Sequence, residues 1–460
     1  MSELSAHQQE HLLAFIEELS SDQQQSLKNQ IAEIDLAQIA TLFQKFGASD
    51  AWAELASRAE PPVALRLGDT TSNHFSRAEA EECGSQLLNS GKVGMILVAG
   101  GQGSRLGFDH PKGMYPLGPV TKRTLFQIHI DKLMALNHKY GSVVPLYVMT
   151  SPATHQETAD FLNDHDWFGY PKDACQIFCQ GTMPAVDCET GKILLAEKGK
   201  LFASPDGHGG MLAAFDNSGC LADVKQRELS QIFYCQIDNP LAQICDEATL
   251  GYHVLAKSEV SSQAVPKTDP LQKVGNIVSI DGKVQIIEYS DLPETVARKT
   301  TDNGGLALWA GNIAVHIFDV KFLDRMTDHA DALPFHLAHK KVPYVDSTGT
   351  LVKPEQPNAI KFERFIFDLL PMASHSIVVE VDPQEAFSPV KNAATESHST
   401  AKTAQESMMR QARRILNEVG VSVAENVPIE IDPHLVLDSQ RLKEALNGAT
   451  EIDKPTFLGL

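Results

Sequence analysis

Residues 95–118 read MILVAGGQGSRLGFDHPKGMYPLG. Met95 to Ala99 is an apolar run of the length of a buried strand. It enters a loop carrying Gly100, Gly101, Gly103 and Gly107, with Arg105 and Lys112 spaced along it. Glycines let backbone N–H groups approach phosphate oxygens, and the two cations supply charge-assisted hydrogen bonds, so a strand ending in this loop suits a polyphosphate. Outward from it, from about residue 90, strand-like and helix-like stretches alternate. Thr124 to Leu136 and Pro152 to Leu162 have helical character. Val143 to Met149, Cys175 to Cys179 and Gln231 to Ile237 have strand character. This alternation predicts an α/β fold, a Rossmann-like, mostly parallel sheet covered by helices on both faces. Asp281-Gly282, between Val274–Ile280 and Val284–Tyr289, predicts an antiparallel hairpin.

The 460 residues exceed one small core, and three parts are expected: a helical arm at 1–60, a catalytic domain at 61–392, and a linker with a small C-terminal domain at 393–460. In the arm, Ser5 with Gln8 and Ser21 with Gln24 fit the capping-box pattern, and Pro61-Pro62 closes it. Residues 393–405, AATESHSTAKTAQ, read as a polar joining segment before a helix from Ser407 to Leu416. A hydrophobic fraction of 43% is ordinary for a soluble globular chain. The net charge of −20, without a Lys/Arg-rich run, excludes a nucleic-acid or anionic-membrane partner, so an anionic substrate needs a local cationic pocket. No long apolar run or basic-then-apolar leader is seen, and the seven cysteines lack paired CxxC spacing. A cytoplasmic protein with reduced thiols is therefore expected.

The loop is not a Walker A motif, because Lys112 is followed by Gly113 rather than Ser or Thr. It is a poor dinucleotide fingerprint too: Leu106 occupies the third glycine position and Pro111 opposes a helix starting inside the loop. A bare glycine-rich turn is the plain alternative, and Arg105, Lys112 and the preceding strand weigh against it.

GGQGSRLGFDHPKGMYPLG resembles the signature GGxGTRLGxxxPK of the eukaryotic-type UTP:sugar-1-phosphate uridylyltransferases, with Ser104 where Thr is usual, and it is most similar to UDP-N-acetylhexosamine pyrophosphorylases. The resemblance continues, in the family's order, through QEHLLAFIEEL, LYVMTS, CQGTMPAV, SPDGHGGM, IIEYSDL, AGNIAVH, KKVPYVD, PNAIKFERFIFDLL and FSPVKNA. It implies that a sugar-1-phosphate oxygen attacks the α-phosphorus of UTP and expels pyrophosphate. That chemistry needs no protein nucleophile, only positioning of two polyanions and neutralisation of shifting charge.

By the same resemblance, Arg105 and Lys112 lie against the triphosphate. Lys361 and Lys391 match two late phosphate-contacting lysines, with Lys391 approaching the sugar phosphate and α-phosphate. Asp238 directly follows the strand IFYCQI, where α/β sheets bind ligands, and is the candidate carboxylate for Mg2+; a helix N-cap before Asn239-Pro240 is its other reading. Gln180 and Gly207 resemble the uracil-reading pair, with the backbone of Val98, Ala99, Gly100 and Gly101 covering the remaining base and ribose. Glu288, Tyr289 and Asn312 occupy positions where the family binds hexose hydroxyls and the 2-substituent. His208, in GHGG, stands where N-acetylhexosamine enzymes usually carry Asn; it is similar to the GHG of glucose-1-phosphate and broad UDP-sugar enzymes, and it can donate to a sugar hydroxyl. The sugar implied is N-acetylglucosamine-1-phosphate, with the glucose or galactose compound as the alternative. A non-catalytic nucleotide-sugar-binding protein is the reading from another class. The C-terminal piece is shorter than its counterpart in the family.

Overall fold

The computed structural model describes residues 2–45, 50–69, 73–329 and 333–459; residues 1, 46–49, 70–72, 330–332 and 460, included in the expected domain spans, lie outside the described residues. The apolar run before the glycine loop is an inner strand of a ten-stranded sheet. In chain order its strands are β1 (Ala64–Leu65), β2 (Val93–Val98), β3 (Leu146–Thr150), β4 (Cys175–Cys179) and β5 (Gln231–Gln236). They continue with β6 (Val260–Pro266), β7 (Asn276–Ile280), β8 (Lys283–Ile287), β9 (Ala310–Asp319) and β10 (Ser376–Glu380). The spatial order is β1-β10-β6-β9-β5-β2-β3-β4, with β7 pairing both β8 and β9.

The block β5-β2-β3-β4 is wholly parallel, as are β1-β10 and β10-β6. Between these blocks β9 runs antiparallel to both β5 and β6. The sheet is thus mixed, with its longest parallel block around β2.

Strand periodicity separates two cores. Met95 and Leu97 face one side with Leu125, Ile130 and Leu133 of the helix Leu125–Tyr140. Ile96, Tyr147 and Met149 face the other with Leu212, Phe215 and Leu221. Helices therefore cover both faces. Thr124 caps the first of these helices by accepting from Gln127 N, and Gly141 ends it at φ +63°. The predicted hairpin forms as β7 and β8, and its two-residue turn has φ +51° at Asp281 and +77° at Gly282, as a type I′ turn requires.

Three local expectations are corrected. The capping box predicted at Ser21/Gln24 forms one residue earlier, between Ser20 and Gln23; adjacent serines and glutamines satisfy the pattern in either frame. The box predicted at Ser5/Gln8 is absent, since Ser5 lies inside the helix Ser2–Ala6, donates to Glu10, and is followed by Gln8 at φ +57°. The joining segment is shorter than expected, because the helix Ala401–Glu418 begins within it, capped by Thr400 and Thr403.

The N-terminal helices pack Leu12, Leu27, Ile39 and Leu42 against Val186, Ile360 and Phe362 of a separate three-stranded sheet and against Ile193, which bridges to Val186. At the other end, Leu416, Ile429, Leu435 and Ile452 make a small core of their own. Arg123 anchors that unit to the main body through Asp131 (2.8 Å) and Asp432 (3.2 Å). No helix among the described residues is long and apolar enough to cross a membrane, and all seven cysteines are free thiols.

Candidate functional site

The parallel block brings together the C-terminal ends of four strands, and a predicted site residue follows three of them: the glycine loop after β2, Gln180 after β4 and Asp238 after β5. After β3 comes Ser151, which was not singled out from sequence; its Oγ donates to the Gly100 carbonyl at 2.7 Å. The loop folds back on itself through Lys112 N donating to Gly101 O (3.0 Å) and Gly103 N donating to His110 O (2.9 Å). Val98 ends β2 paired with Gln236 and Met149, Ala99 is fully buried with its N–H on Met149 O, and Gly100 follows. A Cβ on Gly100 would stand 3.4 Å from Gln180 Oε1, so the Gln180 amide lies against the loop backbone. Gln180 is buried.

Gly207 opens the next wall at φ +86°, and a Cβ there would stand 2.3 Å from Arg364 O. Only glycine fits both the backbone angle and the contact. Beside it Asp206, not assigned from sequence, has its carboxyl pushed up to about 6 by burial, against the pull of Arg364.

The cations converge on Asp238, which is 7% exposed. Lys391 Nζ lies 3.7 Å from Asp238 Oδ2. Burial pushes the Lys112 ammonium below its usual range; Asp238 opposes this, while Lys391 and Arg105 reinforce it. Arg105, Lys112, Lys391 and Asp238 thus form one electrostatic group. The alternative reading of Asp238 as a helix cap does not hold, since the next helix starts at Glu247 under Asp246.

Lys391 also joins this group to the sugar candidates, for its charge acts on both His208 and Glu288. Burial lowers the His208 imidazole to about 4, helped by His336 and Lys391. Its Nδ1 accepts from Ile366 N at 3.2 Å; the proton of the neutral ring is then on Nε2, which can donate. Burial raises the Glu288 carboxyl, with Asp291 adding to the shift and His336 and Lys391 opposing it. Glu288 and Asn312 meet at Gly275, where a Cβ would be 3.2 Å from Glu288 Oε1 and 3.5 Å from Asn312 Cβ. Asn312 Oδ1 is occupied by Ala314 N (2.9 Å). Tyr289 is 47% exposed and is less enclosed than these neighbours.

A pair absent from the sequence reading, His336 Nε2 and Asp368 Oδ2 at 2.9 Å, flanks the same region. The His336 ring lies on Phe365, which in turn stacks with His208. Lys361 stands apart: it is on the three-stranded sheet, 5.1 Å over the Phe202 ring, with Glu363 and Lys340 as its charged neighbours.

Among the described residues no group of three or more His, Cys, Asp or Glu is arranged to hold a metal. A single carboxylate nevertheless fits Mg2+, which commonly takes one or two protein oxygens and completes its shell with waters and substrate phosphates. Among the described residues the Asp238 carboxylate accepts no protein hydrogen bond and has the Lys391 ammonium 3.7 Å from its Oδ2.

Residues 56–427 match the sequence model of the family described as UTP–glucose-1-phosphate uridylyltransferase. The chain is 34% identical over 425 residues to the mouse (Mus musculus) UDP-N-acetylhexosamine pyrophosphorylase-like protein 1, covering 90% of this chain and 84% of the relative. It is 32% identical over 450 residues to the UDP-N-acetylglucosamine pyrophosphorylase of Saccharomyces cerevisiae, covering 96% and 92%. The fold is that of the solved uridine diphosphate N-acetylglucosamine pyrophosphorylase from Trypanosoma brucei, with a TM-score of 0.79 at 24% identity over 99% of this chain and 97% of that one.

Proposed function

The chain belongs to the UTP–glucose-1-phosphate uridylyltransferase family, and from that premise we propose that it joins UTP to N-acetylglucosamine-1-phosphate in the cytoplasm at the site around Asp238 and Lys391. In this family's reaction a phosphate oxygen of the sugar-1-phosphate bonds to the α-phosphorus of UTP, the bond from that phosphorus to the bridging oxygen breaks, and pyrophosphate leaves. The observation that carries the assignment of the site is the position of Lys391, beside Asp238 and acting on Lys112, His208 and Glu288 at once. A cation there meets the sugar phosphate and the α-phosphate together, which is where two polyanions must be brought into contact.

In this reading Gln180 and the backbone of Val98, Ala99, Gly100, Gly101 and Gly207 hold uridine. Arg105 and Lys112 neutralise the triphosphate and the charge developing on the leaving pyrophosphate. Asp238 holds Mg2+, which when bound neutralises phosphate charge. Glu288 and Asn312 take the sugar with His208, and Tyr289 borders them from the more open side. Lys361, separate from the Asp238 group, has at most a peripheral phosphate role.

The names of the relatives favour the N-acetylglucosamine compound. His208 favours a second reading, because a ring that presents Nε2–H suits a bare hydroxyl and so glucose-1-phosphate or a broad UDP-sugar activity. A pyrophosphate-release assay with UTP, Mg2+ and a panel of sugar-1-phosphates decides between them. Fastest release with the N-acetylglucosamine compound is expected; a preference for the glucose compound transfers the assignment to the second reading. Absence of release with every sugar overturns the enzyme.

A further inference from the structure

Asn239, the residue after the proposed metal carboxylate, has no part in the chemistry just described, yet it is 3% exposed and both ends of its amide are hydrogen-bonded. Its Nδ2 donates to Ala386 O at 2.8 Å, and its Oδ1 accepts from Ser388 N at 3.0 Å. A third bond continues the pairing, Val390 N donating to Asp238 O at 2.8 Å. Three hydrogen bonds therefore hold residues 386–390 along residues 238–239, and Lys391 is the next residue on that segment. Its ammonium reaches Asp238 at the end of this pairing.

From the opposite side the helix Leu125–Tyr140 fixes the same turn. His129, kept neutral because burial lowers it to about 3, sets its Nε2 on Ile237 O at 3.1 Å. Lys132 donates to Pro240 O (2.5 Å) and Ala242 O (3.0 Å). The carbonyls flanking Asp238 are thus clamped to the helix, Ile237 N donates to Val98 O at 2.9 Å, and the segment carrying Lys391 is aligned against the turn through Asn239. An asparagine suits that alignment because one side chain offers both a donor and an acceptor at fixed spacing. Aspartate would place a second carboxylate oxygen against the Ala386 carbonyl.

We propose that Asn239 is a positioning residue for uridylyl transfer, acting through Lys391 by registering the 386–391 segment on the Asp238 turn. This rests on the assignment of Lys391 to the phosphates made above. It predicts that Asn239 matters only while Lys391 is present, a dependence that a purely structural role would not have.

The test is a double-mutant cycle in the full-length protein, with UTP, Mg2+ and the best sugar-1-phosphate, on Asn239→Ala, Lys391→Ala and the double variant. Asn239→Ser, which keeps a small polar group, serves if the alanine variant fails to fold. The single change at Asn239 is expected to lower kcat at least tenfold with KM for UTP within about threefold, and to add less than a further twofold in the Lys391→Ala background. Binding of the UDP-sugar product, followed by calorimetry, is expected to weaken in each single variant and to weaken no further in the double. Losses that multiply fully in the double variant, or an Asn239 variant with parental kcat, overturn the inference. If Lys391→Ala itself retains parental kcat, it is the assignment of Lys391 that has failed, and the proposal for Asn239 falls with it.

Discussion

The Lys391 ammonium lies 3.7 Å from the Asp238 carboxylate although Asp238 follows a strand and Lys391 lies far along the chain, in the segment after the short helix Pro383–Ala386. Half of the Lys391 side chain is exposed, whereas Asp238 is almost enclosed. The pair is therefore less a stabilising salt bridge than a charge arrangement held ready for phosphates, since an exposed ion pair contributes little to folding.

Removal of either side of this arrangement tests it. Lys112→Ala and Asp238→Asn are each expected to lower kcat by at least a hundredfold, corresponding to about 3 kcal/mol of transition-state stabilisation. Asp238→Asn should also raise the Mg2+ concentration needed for half-maximal rate. Near-parental turnover in steady-state assays would remove the residue concerned from the site.

The four-strand parallel block, the glycine loop after β2 and the carboxylate after β5 were legible because each is local: an apolar run, a glycine or a carboxylate directly after it, and a turn. The direction of β9 was not, since a buried strand's composition carries no sign of whether it runs with or against its neighbours. The partners of Asn239 lie 149 residues away in Ser388, and those of His336 32 residues away in Asp368. Such pairs leave no mark of spacing in either segment. The resemblance grouped Lys361 with Lys391 as phosphate contacts; in the structure Lys361 sits on the three-stranded sheet over the Phe202 ring and Lys391 beside Asp238, a difference in surroundings that neither motif announces.

That separation has a consequence for Lys361. Its half-buried ammonium is lowered by burial and has Glu363 and Lys340, not Asp238 or Lys112, as charged neighbours. Lys361→Ala should lower kcat less than tenfold, against a hundredfold or more for Lys391→Ala measured side by side. Equal losses would show that substrate binding brings Lys361 into the charge group.

At the sugar end, His208→Asn keeps a side-chain acceptor for Ile366 N and should preserve folding. It replaces an imidazole donor with an amide at the pocket wall. The ratio of kcat/KM for the N-acetylglucosamine compound over the glucose compound is expected to change at least fivefold. An unchanged ratio would take position 208 out of sugar discrimination.

Stability should rise with pH between about 5 and 6. Burial lowers His129, His253 and His316 to about 3 and His208 to about 4, so the folded state binds fewer protons than the unfolded chain; their contribution is lost as pH falls from 6.5 toward 3. Asp131 and Asp206, raised to about 6 chiefly by burial, act oppositely, and their contribution is lost as pH rises from about 4 to 6. Four histidines outweigh two carboxyls by about two protons near pH 5.5, giving a slope of about 2.8 kcal/mol per pH unit. Urea denaturation at pH 5.0, 5.5 and 6.0 measures it. His253→Gln should lower the slope by about 1.2 kcal/mol per pH unit, and a slope of the opposite sign would show that the carboxyls dominate.

Arg123 is the joint between the main body and the C-terminal unit. Its guanidinium is 17% exposed and faces Asp131 and Asp432, themselves 8% and 12% exposed, while Glu430 of the same unit accepts from Val120 N and Thr121 N. Arg123→Ala leaves two enclosed carboxylates facing each other without their cation, which costs far more than the pair itself contributes. Loss of about 3 kcal/mol of unfolding free energy is expected, with proteolysis of the C-terminal unit, around residues 419–428, becoming faster than in the parent. Arg123→Lys restores one charge but not the fork that reaches both carboxylates, and should recover only part of the loss. A change below about 0.5 kcal/mol in Arg123→Ala would mean that the apolar contacts of the helix Ala401–Glu418 with the main core hold the unit by themselves.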